Sequence, residues 1–261
     1  MLNKLFFTQL LFPPKCVGCK TRFDIIKETE AGYTAFCRKC RADWEWEKLN
    51  SCPGCGVVAI ECTCTPKILD KKYVDCISLV KFGGSQKVDR LIYSLKKRKV
   101  DRNFEFAADE LAKRFESYAS TTDEKLESVI ITNIPRKRST VAALGFDHAK
   151  ILAELIAEKT GYPYLELILR VGWGRDQKKL SLQKRRENVK GKFDIAVEGD
   201  LSEYTVVLVD DVVTSGMTAY ECIKVLRSAG VKKVVLLSIA RAFEKKTAKR
   251  KSRGKQKRKI D

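Results

Sequence analysis

A chain of 261 residues, 44% hydrophobic and 33% charged, has the material for a packed core under a solvated surface. That composition excludes a wholly disordered or low-complexity polypeptide. The formal net charge of +19 favours polyanionic partners, and nothing approaches the ~18 to 20 apolar residues of a membrane span, so no membrane insertion is expected.

The chain opens with an apolar run over residues 5–12 that stops at Pro13 and Pro14. It lacks the small-residue cleavage pattern of a secretory leader, so it reads as packing material of a cytoplasmic protein. Residues 13–66 form a cysteine-rich module. Eight of the ten cysteines fall there, as Cys16-x-x-Cys19, Cys37-x-x-Cys40, Cys52-x-x-Cys55 and Cys62-x-Cys64. Such close pairs make poor disulfide frameworks, whereas each turn presents two thiolates to one tetrahedral Zn²⁺. With turns at Gly18, Pro53-Gly54 and Gly56 and few apolar runs, the module depends on metal for its stability. Two zinc ions are expected. Sequential pairing gives Cys16, Cys19, Cys37 and Cys40 to one and Cys52, Cys55, Cys62 and Cys64 to the other; an interleaved pairing is the rival that spacing leaves open. Cys76 and Cys222 stand alone and read as small buried apolar residues.

From residue 73 the pattern alternates between strand and helix. Residues 73–82 read as a strand, 88–97 and 104–118 as amphipathic helices, and 129–134 as a short β-branched central strand. Helix signals run from 140 to 159 and end at Gly161 with Pro163 beyond. Residues 171–192 are polar and read as a mobile loop or short helix. Residues 204–209 form the clearest strand, 218–229 a helix closed by Gly230, and 234–239 a last strand. This alternation specifies an α/β domain over residues 73–243 with a doubly wound parallel sheet.

The segment from Val206 to Thr218, VVLVDDVVTSGMT, carries the chemistry. An apolar strand delivers Asp210 and Asp211 to the edge of the sheet, where ligands of such folds bind. Two adjacent acids suit the two hydroxyls of a ribose. The chain then turns through Thr214, Ser215, Gly216, Met217 and Thr218 into a helix N-terminus, whose free N–H groups and hydroxyls can cradle a phosphate. Gly216 allows the backbone to approach the anion closely. The last segment, residues 244–261, holds ten Lys and Arg against two acids and almost nothing apolar. It reads as a disordered basic tail, either an electrostatic arm for nucleic acid or a solubilising extension.

That central segment resembles the phosphoribosyl-pyrophosphate (PRPP) signature of type I phosphoribosyltransferases. The wider chain, from Cys16 to Arg241, is similar to the ComF family of competence proteins, also called GntX-like. The likeness takes in the cysteine knuckles, Leu95-Lys96, the Pro135 loop, Gly145-Phe146, residues 177–188 and Gly191-Lys-Phe193. The resemblance implies a type I phosphoribosyltransferase-like sheet flanked by helices, behind a small N-terminal zinc-ribbon module. It further implies that Asp210 and Asp211 hold the ribose as catalytic acids with Mg²⁺ nearby, and that Thr214, Ser215, Gly216, Met217 and Thr218 hold the 5′-phosphate. Pro135, Arg136 and Lys137 fall in the loop near the pyrophosphate, and Gln177, Arg185 and Asn188 in a flexible loop that closes over the site. Where ComF proteins commonly read Arg-Gly-Phe-Asn-Gln, this chain has Leu144-Gly-Phe-Asp-His148. One fixed cation is thereby lost, with Arg136, Lys137 and Arg138 as neighbouring substitutes. His148, the only histidine, lies in a helical stretch, where a packed or solvent-facing role outweighs acid–base work.

The function this resemblance implies is natural transformation: handling incoming single-stranded DNA in the cytoplasm while binding PRPP, with a competence helicase or recombination protein as a further partner. Trp44, Trp46, Trp173, Tyr33 and Phe36 are the aromatic candidates for stacking on bases, set against the alternative that aromatics beside zinc knuckles form small-domain core. Two other functions fit the same residues. One is an active phosphoribosyltransferase on an unidentified small acceptor, for which no acceptor pocket is readable; the other is a PRPP-gated regulator or scaffold.

Overall fold

The computed structural model describes residues 13–22, 35–122, 126, 128–171 and 191–243. Its elements run α1 (Arg38–Leu49), β1 (Val74–Lys81), α2 (Gln86–Lys97), α3 (Asp101–Thr121), β2 (Val129–Asn133), α4 (Arg138–Leu144), α5 (His148–Thr160), β3 (Ile168–Arg170), β4 (Phe193–Ile195), β5 (Thr205–Val213), α6 (Met217–Ser228) and β6 (Lys233–Arg241). The four long strands pair in the order β1-β6-β5-β2, every pair parallel. β3 and β4 form a separate antiparallel ribbon.

The alternation of strand side chains builds two cores, one on each face of the sheet. Val207 and Val209 of β5, with Val235, Leu237 and Ile239 of β6, pack under α2, α3 and α5. Val206 and Leu208, with Val234 and Leu236, pack under α6 together with Ile168 of β3 and Phe193 of β4. Both faces are covered, which is why these strands read as continuous apolar runs rather than alternating ones. The α/β reading holds, with a parallel sheet flanked by helices. Cys76 and Cys222 are buried among apolar neighbours, as their isolation in the sequence implied.

The single helix read over 140–159 is two. Gly145 closes α4 in the left-handed conformation, φ 79°, and Asp147 caps α5 by accepting from the backbone N–H groups of Ala149 and Lys150. The apolar periodicity continues through the break, so only the Gly-Phe-Asp punctuation betrays it.

The cysteine module does not stand apart from the main core. Phe36 and Trp44 are fully buried and pack on Phe106 of α3, with ring centroids 5.3 and 5.4 Å away. Glu110 of α3, also buried, accepts from Trp44 Nε1 at 2.8 Å, Arg41 Nη2 at 2.7 Å and Lys48 Nζ at 2.9 Å. Burial alone would raise this carboxyl, but the bonds from Lys48 and Trp44 and the Arg41 charge hold it below its ordinary value. One acid thus fastens α1 to α3.

Candidate functional site

Asp210 and Asp211 lie inside β5, not at its end, because the strand runs on to Val213 beside β6. β2 stops sooner: its last residue, Asn133, pairs with Val209. Beyond that point one side of β5 has no strand beside it, and there the acids meet helices. Asp211 continues the Val207 and Val209 row and is 4% exposed, whereas Asp210 is half-buried and its carboxylate accepts from the Asp211 N–H at 2.8 Å.

Two basic side chains converge on Asp211 from the helices above. His148 Nε2 lies 2.6 Å from Oδ2, and Lys96 Nζ, at the end of α2, lies 3.1 Å from the same oxygen. The other ring nitrogen of His148, Nδ1, is buried with no hydrogen-bond partner. Burial would raise Asp211, but His148 first and Lys96 second hold it below the usual carboxylate range. Asp210 moves the other way, pushed up by burial and then by the charge of Asp211. The pair therefore carries one negative charge more readily than two. His148 is packed, as expected of it, but packed into the site itself. Lys96, Lys97, Arg98 and Lys99 follow in an unbroken basic run whose last three members are exposed.

Asp147 joins this arrangement to the loop after β2. While Oδ1 caps α5, Oδ2 accepts from the Arg136 N–H at 2.9 Å. The same acid thus sets where His148 enters the helix and where Arg136 leaves the sheet. Arg136 Nη1 is buried with no hydrogen-bond partner, the state of a cation suited to an anion. Arg170 donates to the Pro135 carbonyl at 3.4 Å, and Lys137 stands at the N-cap of α4.

After β5 the chain turns as the sequence implied. Thr214 is exposed and Ser215 half-buried; Gly216, φ 77°, is the N-cap of α6, and Met217 and Thr218 begin the helix. The first intrahelical bond runs from Tyr220 N to Gly216 O, leaving the preceding N–H groups available to an anion. The room made by the missing Gly216 side chain is taken by protein: a Cβ there would stand 2.9 Å from Pro66 Cβ and 3.2 Å from Ile68 Cγ2. Gln177, Arg185 and Asn188 lie outside the described residues, as do Tyr33 and Trp173. Phe36 and Trp44 are core, which removes them as stacking surfaces; Trp46 is 68% exposed.

The eight module cysteines gather in the sequential sets. The donor sulfurs of Cys16, Cys19, Cys37 and Cys40 lie within 4.8 Å of one another, as do those of Cys52, Cys55, Cys62 and Cys64. A tetrahedron with Zn–S bonds of about 2.3 Å separates its sulfurs by about 3.8 Å. Cys19 and Cys37 stand 3.8 Å apart and Cys55 and Cys62 3.6 Å, so both sets fit the ion. Backbone N–H groups of Cys37, Gly54 and Cys64 point at the sulfurs of Cys16, Cys52 and Cys62 from 3.3, 3.4 and 3.3 Å, the outer contacts that steady a thiolate ligand. Among the described residues no helix is long and apolar enough to cross a membrane.

Comparison with known proteins follows the same line. No protein-family model matches the chain. Over 100 residues it is 36% identical to Competence protein F of Haemophilus influenzae, a match covering 38% of this chain and 44% of that protein. It is 24% identical over 212 residues to Competence protein ComFC of Streptococcus pneumoniae, covering 80% of this chain and 88% of the relative. Similar solved structures include the glutamine PRPP amidotransferase from B. subtilis complexed with ADP and GMP, at 26% identity and a TM-score of 0.32 over 51% of this chain and 25% of that one. A purine phosphoribosyltransferase from Pyrococcus horikoshii gives 21% and 0.31 over 53% and 80%. The chain thus spans less than half of the first curated relative and a quarter of the first structure.

The parallel sheet flanked by helices, the acid pair on β5 and the Gly216-capped helix that follows agree with the type I phosphoribosyltransferase-like fold that the resemblance of the sequence implied. Both curated relatives are competence proteins, and the resemblance of this chain to the ComF family holds across most of its length.

Proposed function

We propose that this chain acts as a ComF-like competence protein, binding PRPP at the carboxyl end of β5 and handling incoming single-stranded DNA in the cytoplasm during natural transformation. The observation that carries the reading is the acid pair of β5 running directly into the Gly216-capped start of α6. Asp211, held as the anion, and Asp210 face the ribose hydroxyls. The α6 N-terminus with Thr214, Ser215 and Thr218 receives the 5′-phosphate. Arg136 and Lys137 meet the pyrophosphate, whose charge Mg²⁺ shares.

The DNA half of the proposal rests on charge and on one ring. A net +19 gives the chain an electrostatic affinity for polyanions. Trp46 offers the open aromatic face on which a base can stack.

Two measurements test the pair of statements. Mg²⁺–PRPP should raise the unfolding temperature of the full chain saturably, by mass action on the folded state; no shift at millimolar ligand would refute PRPP binding. Single-stranded DNA binding is followed across a salt series for the full chain and for a chain ending at Phe243. Binding by both, with a shallower salt slope after truncation, supports a DNA site on the folded body. Binding abolished by truncation contradicts it.

A further inference from the structure

We infer that the second cysteine cluster is the mechanical support of the phosphate loop, with Pro66 and Ile68 as its positioning residues, so that metal in this cluster sets the order of residues 214–218. The inference rests on the reading of that loop as the PRPP cradle. Its geometric content stands independently of the ligand.

Three contacts carry it. Cys62 and Cys64 end the cluster, and Thr65 and Pro66 follow at once, both buried. Pro66 and Ile68 then lie against Gly216, where an added Cβ would press on Pro66 Cβ at 2.9 Å and stand tightly against Ile68 Cγ2 at 3.2 Å. The stretch between them is held locally: Leu69 N donates to Pro66 O at 2.8 Å, and Thr65 Oγ1 donates to Val74 O at the start of β1 at 3.3 Å. The second contact comes through β6. Arg241 donates from Nη1 to the Cys64 carbonyl, while the next residue, Ala242, donates its N–H to Val213 O at 2.9 Å. Val213 is the last residue before Thr214. The third is Phe243, whose ring lies 3.8 Å from where a Gly54 Cβ would stand, beside the sulfurs of Cys52 and Cys64. The loop is therefore gripped at Gly216 by the segment leaving the cluster, and at Val213 by a strand end anchored to the cluster.

Gly216 holds its positive φ without strain, so what packs on it sets its place. The nearest heavy atoms to the place a Gly216 Cβ would take are those of Pro66 and Ile68. Without Pro66 and Ile68 the helix N-terminus keeps its partial charge but loses its fixed place over the anion. Among the described residues the first cluster shows no such connection. Its nearby contacts run to α2, where Arg90 donates to the Gly18 carbonyl, and to α3, where Arg102 donates to the Lys15 carbonyl at 2.6 Å.

Hydrogen exchange on the full-length, zinc-loaded chain tests this without any ligand. Cys55→Ser should speed exchange of amides 213–219 by about tenfold or more while α5 holds its rate. Cys19→Ser should speed exchange in α1 and leave amides 213–219 at their rate. Ile68→Ala removes the contact without touching a cysteine; it should reproduce the faster loop exchange while both clusters keep their zinc by elemental analysis. Unchanged loop exchange in Cys55→Ser or in Ile68→Ala overturns the inference, as does an equal effect of Cys19→Ser. If the loop follows the second cluster but Mg²⁺–PRPP never protects the protein, the support stands and the ligand assignment fails. If PRPP binds but the loop ignores the cluster, the reverse holds.

Discussion

The two cysteine clusters share one ligand chemistry and differ in what they are fastened to. The first, around Cys16, Cys19, Cys37 and Cys40, leads straight into α1, whose Trp44 and Glu110-bound cations are built into the helical core. The second, around Cys52, Cys55, Cys62 and Cys64, sits where β6 ends and hands the chain on to Pro66 against Gly216. What a metal knuckle does is thus decided by the elements its loops end on. One cluster is fastened to the helical layer, the other to the loop of residues 214–218 that follows β5.

The sharpest way to break this division is at Glu110, the acid that ties α1 to the core. Glu110→Ala leaves the buried Trp44 Nε1 without its acceptor and Arg41 and Lys48 with Glu45 alone, and should cost about 3 kcal/mol in denaturant unfolding. Residues 214–218 should keep their hydrogen-exchange rates in the folded state. Its pH dependence has a definite sign. The Glu110 carboxyl is held below its ordinary value in the folded chain, so its stabilisation is complete above about pH 4.5 and is lost as pH falls through the lower folded value. The native chain should therefore lose stability on acidification more steeply than Glu110→Gln, a difference read from unfolding at pH 7 and near pH 3.5.

A smaller effect is expected on the other side of the comparison. Gly216→Ala puts a Cβ 2.9 Å from Pro66 Cβ at φ 77°, which should cost about 1–3 kcal/mol of stability. The change should fall in the loop and weaken anion binding there, read by titration with inorganic phosphate. The smallest effect is expected at Trp46. Exposed on α1, it should change stability by no more than about 0.5 kcal/mol when replaced by Ala. Single-stranded DNA affinity should drop by about tenfold if its ring stacks on a base; unaltered affinity removes Trp46 from the DNA surface.

Much of this was legible in the sequence for identifiable reasons. The β-branched runs at β2, β5 and β6 could only be buried strands, and eight cysteines in close pairs could only be economical as metal knuckles. Adjacent acids before a Thr- and Gly-bearing turn marked the candidate site. What stayed hidden was long-range. That His148 meets Asp211 depends on how α5 lies over the sheet, which no local pattern encodes. A signal existed, since Asp147 and His148 replace the Asn and Gln common in ComF proteins, bringing an acid and a cation-forming ring together. Glu110 also carried a signal, as an acid four residues after Phe106 on the apolar face of α3. The support of Gly216 by Pro66 and Ile68 had none, because it joins segments that only the folded chain brings together.

The central claim, that the Asp210–Asp211 edge and the loop after it bind PRPP, is tested most directly by titration calorimetry of the full-length, zinc-loaded chain with Mg²⁺–PRPP. Asp211→Asn serves as the isosteric comparison. Saturable binding by the native chain, weakened at least about tenfold in Asp211→Asn, is the expected result. Absence of binding, or equal affinity in the two chains, would contradict it.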